Sequence, residues 1–386
     1  MSTRTYIDVH VLQTVPPSNL NRDDAGSPKQ AVYGGARRAR VSSQAWKRAT
    51  RKAFADQVPE EELATRTKKI LGMVIDRLVA RTGVGSEQAA RIATSLLARL
   101  DIKPGKKRPD ETAYLLFFGR PQLEHIVALV ADRAAELAGM SDEDLAEAVK
   151  NLPVREQLGT GHPIDVALFG RMVADIPGLN VDAATQVAHA LSTHAVEIEF
   201  DYYTAVDDEN PDEETGAGMI GTVEFNSATL YRFATVGLHQ LVDNLGGDAE
   251  ATATALEVFL TAFVKSMPTG HQNSFAHRTP PYLVSVVIRE DQPVNLVSAF
   301  ESPVRPNGDG IAALSAARLV AELRRTGELW DLAPLQVASA YTLPDRDADT
   351  AREVLGEPMP LADVVAATVR TARQRLTGAA PAEVPA

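Results

Sequence analysis

From Pro59 to about Leu179 the chain reads as helix, and this block interrupts flanks that read as strands. Within it Leu63, Thr67, Leu71, Val74 and Leu78 recur at helical spacing, and Ser86 and Ser141 look like caps for further helices. With the block set aside, the remaining order is strand, helix, strand, strand, helix, strand. That order is the ferredoxin-like plan shared by RNA-recognition domains. The expected fold class is therefore α+β, with a core discontinuous in sequence: residues 1–57 first, a helical insertion over 58–180, and residues 181–386 completing the core.

The strands follow from alternation. Residues 4–15 form the first, with Ile7, Val9 and Val11 on one face, and a loop rich in Pro, Asn and Asp follows over Pro16–Pro28. A helix is expected near Val181–His194. After it Val196, Ile198, Phe200 and Tyr202 alternate with Glu197, Glu199, Asp201 and Tyr203. A returning strand begins near Gly221 and runs on through Val236. Between the two lies an acidic tip, with Asp207, Asp208, Glu209, Asp212, Glu213 and Glu214, so residues 196–227 predict a projecting hairpin. A helix over Ala249–Met267, a strand over Tyr282–Arg289, a helix over Ile311–Arg325 and a strand near Val337–Thr342 come next. C-terminal helices broken by Pro358 and Pro360 complete the expected fold.

At 386 residues more than one structural unit is expected, and 45% apolar content is that of a globular protein. No apolar run approaches the roughly 18 residues of a membrane span, and Met1 to Tyr6 lacks a signal-peptide core, so no membrane association and a cytoplasmic location are expected. The absence of cysteine excludes disulfides, thiolate nucleophiles and Cys-based zinc sites.

Charge is distributed unevenly. The chain carries 51 acids and 39 bases, a net charge of -12, yet Ala25–Ala55 contains no acid. Its bases are Lys29, Arg37, Arg38, Arg40, Lys47, Arg48, Arg51 and Lys52. Tyr33-Gly34-Gly35 signals a turn. Arg38 and Arg40 then alternate with Ala39 and Val41, as in a strand with one basic face. Ser42 and Ser43 are good N-caps for a helix over Gln44–Phe54. On it Gln44, Lys47, Arg48 and Arg51 share one side, and Trp46, Ala49 and Ala53 another. Such a strip is suited to a phosphate backbone, which the acidic remainder would repel elsewhere. A solvated basic helix face is the alternative reading. Aromatic content of 5% leaves little for base stacking.

Other constellations are weaker. Asp23 and Asp24 could hold a metal or cap a turn. His10, His189 and His194 sit in regular elements where structural roles are expected, and His162 and His271 lack a partner carboxylate at readable spacing. The cluster Lys103–Arg108 reads as an exposed loop. No phosphate-binding glycine loop, dinucleotide fingerprint or His-rich metal motif is present. No catalytic residue, metal or cofactor is expected.

Several segments carry a resemblance: Leu20-Asn21-Arg22-Asp23-Asp24, the run from Tyr33 to Arg48, Asp165-Val166-Ala167-Leu168-Phe169-Gly170-Arg171-Met172, Tyr203-Thr204-Ala205-Val206-Asp207-Asp208, and Asn244-Leu245-Gly246-Gly247. In order and spacing they resemble the backbone subunit of the type I-E CRISPR Cascade complex, the CasC group of the Cas-seven family. The resemblance implies a palm of modified ferredoxin-like (RRM) fold, a helical fingers domain and a hairpin thumb. It implies several copies arranged head to tail as a filament along one crRNA, within a ribonucleoprotein complex that serves antiviral defence. Each copy would grip the phosphate backbone without reading sequence, leaving the guide to pair with a target DNA strand, beside the other Cascade subunits.

By position, the resemblance gives Arg22, Lys29, Ser42, Gln44, Lys47 and Arg51 as palm contacts to the guide, and places Arg171 and Met172 against it from the fingers. It makes Tyr203, Thr204, Val206 and Ile220 the thumb residues beside a displaced base. Arg38, Arg40 and Arg48 join the RNA-binding set as members of the basic strip. Met172 could equally be a core side chain. Related backbone subunits cleave RNA with a loop Asp and a metal, so a metal-dependent ribonuclease using Asp23 or Asp24 is the alternative function.

Overall fold

The computed structural model describes residues 4–100, 108, 111–113, 115–173, 176–205 and 219–378. Its strands are β1 (Tyr6–Ser18), β2 (Gln30–Tyr33), β3 (Ala36–Val41), β4 (Ala64–Thr67), β5 (Leu116–Gly119), β6 (Thr185–Val187), β7 (Ala190–Ser192), β8 (Glu199–Ala205), β9 (Met219–Gly237), β10 (Leu283–Arg289) and β11 (Gln336–Tyr341). Nine of them form one sheet in the order β11-β10-β1-β9-β7-β3-β2, with β6 and β8 also paired to β9. The pairings are antiparallel. The central run from β10 through β1 and β9 to β6 and β7 is the ferredoxin-like order, so the fold is the expected α+β class. β11 extends one edge and the β2–β3 hairpin the other.

β1 departs from the expected single buried face. Ile7, Val9 and Val11 are buried, but so are Asp8, His10 and Leu12 on the opposite side. Leu12, Tyr231, Phe233, Leu283 and Val287 pack with Ala316, Leu319, Val320 and Leu323 of the helix Ile311–Trp330. Several of the buried polar groups there have partners. Asp8 Oδ2 accepts from the Val294 amide (2.8 Å) and faces Arg289 Nε (3.2 Å). The Tyr231 hydroxyl accepts from the Leu296 amide (3.1 Å) and shares a hydrogen bond with His10 Nδ1 (2.9 Å).

Two expectations from helical spacing fail. Residues 181–194 form β6 and β7 rather than a helix. Thr185–Val187 pairs with Val236–Ala234, and Leu191 with Tyr231, so the ladder offered by β9 outweighs the modest helix propensity of this Ala-rich stretch. Leu63–Thr67 does not begin a helix either. Ala64–Thr67 is β4, paired with β5, and the helix starts at Ile70. Of the two expected caps, Ser141 accepts from the Asp144 amide (3.2 Å), whereas Ser86 is the first helical residue after Gly85 and makes no cap. The helices Asp345–Leu355 and Leu361–Thr377 are separated at Pro358 and Pro360, as expected.

The chain divides into two compact units. One comprises Met1–Phe54, Thr185–Leu238 and Leu256–Ala386, and the other Ala55–Ala184 and His239–Ala255. The first contains the large sheet. The second has its own core, where Ile70, Val74 and Leu78 meet Ile92, Leu96, Leu123 and Ile126. Among the described residues no helix is long and apolar enough to cross a membrane. The acidic tip over 207–214, Val206 and the basic loop before Arg108 lie outside the described residues.

Candidate nucleic-acid interface

The basic strip of the first unit is a hairpin followed by a helix. Gly34 (φ +58°) and Gly35 (φ +71°) turn β2 into β3. Gly34 also lies against the Glu301 backbone, where an added Cβ would sit 1.6 Å from the carbonyl oxygen. Arg38 fastens the same place. It is fully buried and donates to the carbonyls of Ser192 (2.9 Å), Phe300 (2.8 Å) and Glu301 (3.0 Å). Burial lowers its pKa. The expected single basic face on β3 therefore does not hold at Arg38, whose guanidinium is turned into the protein interior. The exposed arginine of β3 is Arg37, which donates to Gln30 Oε1 (2.9 Å).

The helix Ser43–Ala53 starts where expected. Ser42 Oγ accepts from the Ala45 amide (3.3 Å), and the Ser42 amide donates to Asn21 Oδ1 (2.9 Å). Ser42 is thus buried and occupied in capping. Trp46 and Thr50 are the buried residues of the helix, while Gln44 and Arg48 are exposed and Lys47 and Arg51 half-buried. Burial pulls the Lys47 ammonium below its ordinary pKa. Lys29 is tied into the strip by its backbone, its amide donating to Asn21 O (2.9 Å) and its carbonyl accepting from the Arg40 amide (2.9 Å). Lys29, Arg40, Gln44, Lys47, Arg48 and Arg51 thus come from one continuous hairpin-and-helix unit.

His189 joins them, a residue for which the sequence suggested only a structural role. Its Nδ1 accepts from the Ser43 amide (3.3 Å) and from Arg40 Nη1 (3.4 Å). Burial, then the charges of Arg40 and Lys29, hold its pKa below the ordinary imidazole value. The neutral ring therefore keeps its proton on Nε2, as a further donor beside the cations. Nothing in the sequence signalled this, because the segment was read as helix.

The loop after β1 carries Arg22, which is exposed and donates to His271 Nε2 (3.2 Å). Asp23 Oδ1 accepts from the amides of Ala25 (2.9 Å) and Ser27 (3.0 Å), the turn-capping alternative of the two considered for it. Among the described residues no group of three or more His, Cys, Asp or Glu is placed to hold a metal ion.

In the second unit the two adjacent candidates separate. Arg171 is buried and donates to the carbonyls of Leu179 (2.6 Å), Leu158 (2.7 Å) and Phe117 (3.5 Å). Burial draws its pKa down to about 10. It braces this unit internally. Met172 is 85% exposed, against the core alternative.

In the hairpin, Tyr203 pairs with Gly221 and Thr204 with Ile220. The Tyr203 ring lies against Gly221 and is 46% exposed. The side chains of Thr204 and Ile220 lie outside the described part, as does Val206. Phe200 and Tyr202, on the opposite face from Tyr203, are exposed aromatics as well.

The family model described as CT1975-like protein (Cas_CT1975) matches residues 7–367. Two similar solved chains come from structures described as a CRISPR RNA-guided surveillance complex. One, of a complex described as pre-nicking, is 32% identical with a TM-score of 0.79, covering 95% of this chain and 100% of that one. The other is 28% identical with a TM-score of 0.69, covering 95% and 99%. No curated protein matches the chain. A match of this extent, on a chain with this sheet order and basic hairpin, shows that the protein belongs to the CT1975-like family, of the Cas-seven kind.

Proposed function

We propose that this chain is a non-catalytic, multi-copy crRNA-binding backbone subunit of a CRISPR RNA-guided surveillance complex of type I-E. The observation that carries the reading is the acid-free hairpin and helix, with Lys29, Arg40, Lys47, Arg48 and Arg51 rooted on a rigid sheet edge. Cations and neutral donors position phosphates and carry no sequence information, which suits a subunit that must accept any guide. Head-to-tail neighbours, the other subunits of the complex and a target DNA strand paired to the guide are the partners of this reading.

Its test is RNA binding by Lys47→Ala and Arg51→Ala across several guide sequences and salt concentrations. Each variant is expected to weaken all guides alike. Each is also expected to reduce the salt slope by about 0.7 per lost phosphate contact, as for single strands. An effect confined to one guide sequence would defeat the reading.

The rival reading, a metal-dependent ribonuclease, needs a free carboxylate at Asp23 or Asp24. Asp23 is engaged by two backbone amides, which favours the scaffold. Incubation with RNA and Mg²⁺ or Mn²⁺ is expected to leave the RNA intact. Cleavage abolished by Asp23→Ala or Asp24→Ala would establish the nuclease instead.

A further inference from the structure

Between Pro268 and Pro281 the chain forms a loop held at both ends and open in the middle. The buried His277 ring bonds through Nε2 to Pro268 O (3.1 Å). Gln13 donates to Thr279 O (2.6 Å), and Thr279 Oγ1 to Thr14 O (2.6 Å), so the far end is fastened to β1. The near end is fastened to the Arg22 loop. Gly270 packs so tightly on it that an added Cβ would lie 2.4 Å from Leu20 O and 2.6 Å from Asn19 O. Between these ends a single helical turn, Gln272–Phe275, is bracketed by His271 (φ +49°) and Ala276 (φ +45°). These are two of three described non-glycine residues with positive φ. Such conformations persist only where surrounding contacts impose them. Here the contacts are His271 accepting from Arg22 and the Phe275 ring lying 5.7 Å from that of Phe225 on β9.

This frame leaves Gln272, Asn273 and Ser274 exposed. They directly follow His271, the partner of Arg22, which lies on the loop whose Asn21 also holds the Ser42 amide. Their chemistry differs from that of the basic strip. Lys and Arg only donate, and the phosphates they would meet are the same in RNA and DNA. A ribose 2′-hydroxyl both donates and accepts, and it is the group by which RNA is told from DNA. Side-chain amides and a hydroxyl also do both. In the strip, Ser42 is buried in capping, leaving Gln44 as its exposed group of this kind.

Resting on the RNA-binding reading above, we propose that the Gln272-Asn273-Ser274 turn is a ribose-reading site. Its amides and hydroxyl bond 2′-hydroxyls of the strand gripped by Arg22 and the basic strip, and so give the subunit its preference for RNA over DNA.

The experiment measures binding of one sequence made as RNA, as DNA and as 2′-O-methyl RNA, by the wild type, by Gln272→Ala/Asn273→Ala/Ser274→Ala and by Lys47→Ala/Arg51→Ala. The wild type is expected to bind RNA about tenfold or more above DNA and 2′-O-methyl RNA, the size of two or three neutral hydrogen bonds. The triple variant is expected to lose that preference, with DNA affinity changed less than twofold and the salt slope intact. The Lys47/Arg51 variant is expected to weaken all three ligands and flatten the slope. Equal affinity of the wild type for the three ligands overturns the proposal, and that arm needs no variant to fold. So does a triple variant that weakens RNA and DNA alike. If the Lys47/Arg51 variant binds as the wild type does, the basic-strip reading itself falls, and the proposal with it.

Discussion

The guanidinium carbon of Arg232 lies 3.8 Å from the centre of the Trp46 ring. Arg232 belongs to β9, in the middle of the sheet, and Trp46 is the buried anchor of the basic helix. The same guanidinium donates to Gln13 Oε1 (2.6 Å) and to the Phe263 carbonyl, and burial draws its pKa down to about 9. Replacing it by Met leaves those acceptors unpaired and the indole without its cation. Arg232→Met is expected to lower unfolding free energy by about 2–4 kcal/mol, read from urea titrations.

Arg38 and Arg40 are neighbours on one strand with opposite uses. Arg38→Met strips three carbonyls of their donor and unlocks the hairpin from Glu301. It is expected to cost about 2–4 kcal/mol of stability, while RNA bound by the folded fraction keeps its salt slope. Arg40→Ala is expected to reverse the pattern, with stability changed by less than about 1 kcal/mol and a flatter slope. Urea midpoints and salt-dependent binding of both variants decide the matter.

The hairpin of β8 and β9 is expected to act on RNA held by an adjacent copy. Replacing Asp208–Gly218 by a short Gly linker should leave a folded monomer that binds RNA and assembles poorly, because a head-to-tail contact uses different patches on one chain. Tyr203→Ala should disturb the regular protection of guide RNA against added nuclease. Normal assembly with an unchanged protection ladder in both variants would remove this role.

His10 is buried, and burial, then the charge of Arg289, lowers its pKa to about 3. The folded state therefore keeps the ring neutral, whereas the unfolded chain protonates it below about 6.5. The stability gained from the neutral ring is full above that pH and is lost as pH falls toward 3. Relative to His10→Gln, the wild type is expected to lose about 1.4 kcal/mol of stability per pH unit below 6.5. Paired urea titrations between pH 7.5 and 5 measure it.

Much of the frame was readable from residue order. Alternation located β1, the hairpin strands, β10 and β11, and Ser42 capped the basic helix as its sequence suggested. Two kinds of information were missing. Pairing with a distant strand turned residues 185–192 from helix to strand, and only β9 supplies the reason. Burial separated chemically identical residues: nothing local tells Arg38 from Arg37, or foretells that Arg171 is interior while Met172 is exposed. An arginine beside a site is as good a brace for backbone carbonyls as it is a phosphate ligand, and the choice lies in tertiary contacts.

β9 runs unbroken for 19 residues, about 60 Å at strand rise. One end pairs with β8 in the hairpin, and the other lies between β1 and the short strands β6 and β7. No joint separates the projection from the sheet, so a sideways load on the hairpin arrives at β1 as torque. The pairing slips at one place along that length, between Val15 and Ser18 opposite Ala228 and Asn226. Compliance is concentrated there, and if copies line up as proposed, that slip sets the mechanical stiffness of the array.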